Sequence, residues 1–120
     1  MVDYCTTAQI KIALQIDSDD ESYDTELEGI RDQQEAIIDN ALSLYTTTPL
    51  TAVTTGGIIE GVCIELCRVA FRFRKAADSE ALNVLCALRK MALADLQRYI
   101  EIEYLSEAAI VIEEDRDDYE

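Results

Sequence analysis

The sequence predicts an all-α protein: a small bundle of one short and three longer helices, with a loop or β-excursion at 46–57 and an extended C-terminal tail. Three observations carry this. Apolar residues recur at three- and four-residue steps through most of the chain, the spacing of one face of an α-helix. Helix-start signals, a hydroxyl followed three residues on by Glu or Gln, stand just before such runs. Pro occurs once and Gly four times, so few positions interrupt a helix.

Taken in order, Thr6-Thr7-Ala8-Gln9 is a capping box that opens a short helix to Leu14, with Ile10, Ala13 and Leu14 on one face. Ser18 to Glu21 reads as a second capping box and loads carboxylates at the positive end of the next helix dipole. From Tyr23 to about Leu44 the apolar positions Leu27, Ile30, Ile37, Ile38, Ala41 and Leu42 line one face. Asp24, Glu28, Arg31, Asp32, Glu35 and Asp39 occupy the other. Residues 46–57 are rich in Thr and hold the only Pro and a Gly pair, so they form an exposed connection.

Ile58 to Lys75 is apolar nearly all round, with a narrow stripe of Glu65, Arg68, Arg72 and Lys75, and is expected to be the central helix. Asp78 or Ser79 caps a last long helix carrying Leu82, Leu85, Leu88, Ala92, Leu96 and Tyr99, packed antiparallel to the central one. From Ile100 to Tyr104 the pattern alternates, which reads as extended. The short apolar run Ala108 to Ile112 and the acidic end Glu113 to Glu120 follow. A chain of 120 residues supports one core. The expected organisation is a helical domain over 1–105 and an extended acidic tail over 106–120.

The formal charge is -15, from 25 acidic and 10 basic residues, which disfavours nucleic acid and anionic membranes at long range. Such an excess suits solubility at high salt, and Arg outnumbers Lys by seven to three, so a halophilic host is a hypothesis that the composition leaves open. Met1 to Thr7 carry neither a basic nor an apolar leader region, so no secretory signal is expected. The two most apolar stretches are interrupted by Glu60, Glu65 and Arg68 and by Arg89 and Lys90, too many charges for a membrane span.

No catalytic constellation is recognisable and no enzyme is expected: there is no His and no Gly-rich phosphate loop ending in Lys. Asp32, Glu35 and Asp39 resemble half of a paired-carboxylate magnesium site, but the later helices offer only Glu65 and Asp95 as a partner half. Asp17, Asp19, Glu21 and Glu28 match positions one, three, five and twelve of a calcium loop, yet Ser22 stands where its turn glycine belongs. Helix capping is the favoured reading of that cluster. Cys5, Cys63, Cys67 and Cys86 form no CxxC pair, and a zinc site would need all four thiolates from scattered positions. Reduced core thiols are expected, with no metal and no cofactor.

Two segments are candidate partner-binding sites. Arg68, Arg72, Arg74 and Lys75 place four of ten basic residues within eight positions, where acidic faces of the same chain, a neighbouring copy or DNA would answer them. Ile110, Val111 and Ile112 lie in a run that either completes the domain or adds to a partner's sheet edge, with docking on a partner favoured.

The run Leu14-Gln15-Ile16-Asp17-Ser18-Asp19-Asp20-Glu21, between a short helix and a long amphipathic one, resembles the N-terminal signature of head-tail connector (adaptor, or head-completion) proteins of tailed phages and related archaeal viruses. The likeness is specific over Thr6 to Leu44 and architectural over Ile58 to Tyr99. Here the second long helix ends in Phe71-Arg72-Phe73-Arg74, and the last helix is longer than in that family. The resemblance implies a virion protein at the head-tail interface, assembled in the host cytoplasm. It implies a ring of usually twelve copies beneath the portal protein, which extends and seals the DNA conduit after packaging and receives the tail or stopper (neck) protein. Viral DNA would pass without sequence-specific contact, and the C-terminal tail would reach the portal. The alternative is a small acidic helical regulatory protein, a dimer or a DNA mimic, which needs exposed carboxylates but not the apolar strand at 110–112.

Overall fold

The computed structural model describes residues 3–74, 76 and 78–105, and the structural statements below concern these. The chain is all-α, with α1 (Thr7–Leu14), α2 (Asp24–Leu42), α3 (Ile58–Phe73) and α4 (Ser79–Ile100), followed by a wider π-helical turn, Glu101–Leu105. This is the expected bundle of one short and three longer helices.

The first capping box forms reciprocally. Gln9 N–H donates to Thr6 Oγ1 at 3.2 Å and Thr6 N–H donates to Gln9 Oε1 at 2.8 Å. At the other end of α1, Gln15 turns left-handed at φ 61°. There Gln15 N–H reaches Ile12 O at 3.1 Å and Ile16 N–H reaches Lys11 O at 2.8 Å. These crossed bonds are a Schellman closure, built with Gln where glycine is the usual residue.

The second capping box does not form. Instead Asp17 Oδ1 accepts from Asp19 N–H at 3.0 Å, and Asp20 Oδ1 accepts from Ser22 N–H at 3.0 Å and from the Ser22 hydroxyl. These side-chain turns compete with helix for the same backbone donors, so α2 starts only at Asp24, with no side-chain cap from Tyr23. Lys11, itself buried, reaches Asp24 Oδ1 at 2.5 Å and ties α1 to the start of α2.

Residues 46–57 run through turns and bends, with no strand among the described residues, so the β-excursion is not formed. Gly56 has φ 74°, Gly57 N–H donates to Thr54 O at 3.0 Å, and Gly56 N–H donates to Glu60 Oε1 at 3.1 Å. A side chain at Gly57 would press on Thr54. The Gly pair thus makes the tight entry into α3.

Helix α3 is the hub against which α1, α2 and α4 all pack. Its buried face of Ile59, Val62, Cys63, Leu66 and Cys67 meets Ile10, Leu27, Ile38 and Leu42 on one side and Ala92, Leu96 and Ile100 on the other. Asp78 caps α4 by accepting from Ala81 N–H at 2.7 Å. The start of α3, Ile58 and Ile59, lines one pocket with Tyr99 and Glu103 at and beyond the end of α4, so α3 and α4 run antiparallel.

The alternating stretch Ile100–Tyr104 is helical, not extended. Ile100 is buried and Ile102 exposed, whereas a strand would put both on one face, and Tyr104 stacks on Tyr45 at 5.8 Å and meets Tyr99 edge-on at 6.3 Å. That aromatic contact holds the turn against the end of α2 and outweighs the local strand pattern. No helix among the described residues is long and apolar enough to cross a membrane.

Candidate functional site

The basic residues singled out by their spacing separate into used and open charges. Arg68 donates to Glu65 one turn before it on α3. Arg74 pairs with Glu26 of α2 at 2.6 Å, and its guanidinium lies 4.7 Å from the Phe71 ring and 5.8 Å from the Tyr23 ring. Tyr23 and Phe71 meet edge-on at 5.4 Å. Arg74 therefore pins the end of α3 to the start of α2 through stacking as much as charge. Arg72 is exposed and, among the described residues, takes part in no ion pair. Lys75 and the run Ile110, Val111 and Ile112 lie outside the described residues.

A groove of about 470 Å³ runs between α3 and α4. Ile58, Val62, Leu88, Met91 and Ala92 give it apolar walls, and Glu65, Asp95 and Arg98 edge it. Ile58 and Met91 are large apolar side chains left 46% and 64% exposed, which for a pair on one groove marks a surface suited to contact. Gly61 lies in the groove wall, in the first turn of α3, with open space where a side chain would stand. Sequence reasoning placed Val62, Leu88 and Ala92 in the core and did not see the groove. Its signal was Ile58, Gly61 and Glu65 at three- and four-residue steps, a stripe that is neither apolar nor charged.

No family model matches this chain, and no curated protein and no solved structure is significantly similar to it.

The other notable arrangement surrounds the segment before α1. Tyr4 is buried, its N–H donates to Glu35 Oε2 at 2.6 Å, and its hydroxyl donates to Asp39 while accepting from Leu50 N–H at 2.8 Å. Burial, reinforced by the bond to Asp39, pushes the Tyr4 phenol up to about 12. Glu35 and Asp39, expected on the polar face of α2, thus turn towards a covering segment. Glu35 is buried, and loss of solvent raises its carboxyl although the Tyr4 N–H and Arg31 draw it back. Its Oε1 makes no hydrogen bond. Asp32 points outward, 3.6 Å from Arg31.

Cys5 of the same segment meets Cys63 and Cys67 of α3, with the three sulfurs all within 4.8 Å of one another and Cys5 Sγ 3.1 Å from Cys63 Sγ. All three are buried free thiols, whereas Cys86 on α4 is exposed, so the expectation of four core thiols holds for three of them. Hydrogen bonds from Cys63 and Cys67 hold the Cys5 thiol well below its ordinary range, with Arg31 adding to this and burial opposing it. Cys63 and Cys67 are raised, chiefly by their bonds to Cys5. The spacing of Cys63 and Cys67 was legible as one helix face; the arrival of Cys5 from 58 residues away was not. Neither Asp17, Asp19, Glu21 and Glu28 nor Asp32, Glu35 and Asp39 close into a shared ion site among the described residues.

Proposed function

We propose that this chain is a structural connector subunit of a tailed virus. It forms a ring beneath the portal, extends and seals the DNA conduit, and offers a platform to the tail or stopper protein. The observation that carries the reading is a pair of unlike surface features on one helical subunit. One is the α3–α4 groove with Asp95 and Glu65 on its edge; the other is the Arg72 end of α3 with its open charge. A closed ring of identical subunits needs two such different, complementary patches on each copy. Gly61 supports this, because a glycine at an exposed helical position costs up to about 1 kcal/mol relative to Ala and nothing within the described chain requires the missing side chain. A neighbouring backbone approaching the groove closely would.

The viral setting rests on the signature over Thr6 to Leu44. In this role the exposed carboxylates of α2, Glu28 and Asp32 among them, would let DNA pass without holding it. The run Ile110 to Ile112 would anchor the subunit on the portal.

The test is recovery of an N-terminally tagged chain from the cells in which it is naturally made, beside a Met91→Asp variant and a chain ending at Ser106. The connector reading expects portal protein with the full chain, loss of portal from the shortened chain, and loss of ring particles with Met91→Asp. Recovery of a host nuclease or polymerase, indifferent to Met91→Asp, would instead establish the acidic inhibitor.

A further inference from the structure

The cluster of Cys5, Cys63 and Cys67 is more than apolar filling. Sulfurs held by one zinc-class ion, at bonds of about 2.3 Å, stand roughly 3.8 Å apart in a tetrahedral shell. All three sulfurs here fall within 4.8 Å of one another, so a single ion could reach each with sub-ångström adjustment. The ligands come from two elements: two from one face of α3, one turn apart, and one from the segment that Tyr4 fastens across α2.

The second observation is Glu35. It is 3% exposed, its Oε2 is held by the N–H of the residue next to Cys5, and its Oε1 is buried without a hydrogen-bond partner. A carboxylate orphaned in this way is unfavourable unless positive charge lies near it. Arg31, at the same end of the chain, also answers Asp3 at 3.7 Å and Asp32, so it does not belong to Glu35 alone. The field of Glu35 reaches both Cys5 and Cys67.

We propose that Cys5, Cys63 and Cys67 bind one thiophilic divalent cation of the zinc class, with the Glu35 carboxylate as its neighbouring charge partner. On binding, the ion displaces the protons still carried by the three sulfurs, which leave to solvent. A divalent ion is favoured over copper(I) because three thiolates beside a buried carboxylate leave less uncompensated negative charge when the cation carries two charges. The sulfur set excludes calcium and magnesium, which take oxygen. The ion would fasten the segment before α1 to α3. This inference stands apart from the ring proposal, since it needs no partner.

The experiment uses the full chain, reduced with a phosphine and stripped of metal, titrated with cobalt(II) as a spectroscopic probe and then with zinc. The expected result is a thiolate-to-cobalt charge-transfer band that saturates at one ion per chain and is discharged by zinc, with a rise in the thermal midpoint. Cys5→Ser should lose the band and the rise, and Cys86→Ser should keep both. Because Cys5→Ser alters a buried position, the wild-type chain supplies a second measurement. Alkylation near the denaturation midpoint should be slowed by zinc at three cysteines and unchanged at Cys86. The proposal is overturned if the reduced chain shows no charge-transfer band, if Cys86→Ser abolishes it, or if zinc protects no cysteine. Air oxidation of that metal-indifferent chain to a Cys5–Cys63 disulfide would overturn it in the same way.

Discussion

Single side chains at two places hold connections that no helix supplies. Tyr4 is bonded through both its N–H and its hydroxyl to α2 and to Leu50, so Tyr4→Phe leaves the Asp39 carboxylate and Leu50 N–H without their partner. Loss of such buried bonds costs about 1–3 kcal/mol, and urea denaturation should show that destabilisation. Gln15 acts in the opposite sense. A side chain held left-handed is strained by about 1–2 kcal/mol, part of which glycine's greater freedom in the unfolded chain offsets. Gln15→Gly should therefore raise stability by up to about 1 kcal/mol; a fall would mean that the Gln15 side chain itself supports the turn. Asp20 gives a residue-scale pH test. Bonds from the Ser22 hydroxyl and N–H lower its carboxyl below the ordinary value. Its contribution to stability is present above the unfolded value and disappears as pH falls through the lower folded one. An NMR titration should find Asp20 shifted down, and Ser22→Ala should return it towards normal.

At the scale of the helices, the central position of α3 dictates where damage is greatest. Leu66 is fully buried in the core that α3 shares with the other helices, and Leu66→Ala should cost about 2–5 kcal/mol by leaving a cavity there. Gly61 on the opposite face should behave in reverse. Gly61→Ala is expected to stabilise the isolated subunit by up to about 1 kcal/mol while weakening assembly, so thermal melting and native mass spectrometry should move in opposite directions. The helices themselves were legible in the sequence because their periodicity and two of their caps, Thr6 with Gln9 and Asp78, are local properties of the chain. The second capping box failed because Asp17 and Asp20 found nearer backbone donors, and Ile100 to Tyr104 failed because Tyr45, 59 residues before Tyr104, decides its form. The polar face of α2 was misjudged for the same reason. Glu35 and Asp39 are surface residues by pattern, and only the distant Tyr4 makes them interior ones. The groove was hidden because it belongs to the gap between two helices and not to either.

Across the whole molecule, a charge of -15 on one small core sets carboxylates against one another over every face. Screening shortens that repulsion to about 3 Å at molar salt, so the thermal midpoint should rise by several degrees between dilute buffer and molar potassium chloride. Indifference to salt would count against both a large self-repulsion and the hypothesis of a halophilic host. The same charge bears on assembly: copies carrying so many carboxylates meet only where apolar surface and an answering cation coincide, as at the groove and at Arg72.

The fastening of Tyr4 and Cys5 also has a consequence for synthesis. These two residues are made before every group they bind: Glu35 and Asp39 follow by 31 and 35 positions, Leu50 by 46 and Cys63 by 58. On the ribosome Tyr4 must therefore wait until α2 and Leu50 have emerged, and Cys5 finds its place only after α3 has followed. The earliest residues of the described chain are thus among the last to take their places, and a pause in translation just before Cys63 would hold the nascent chain in its least protected state.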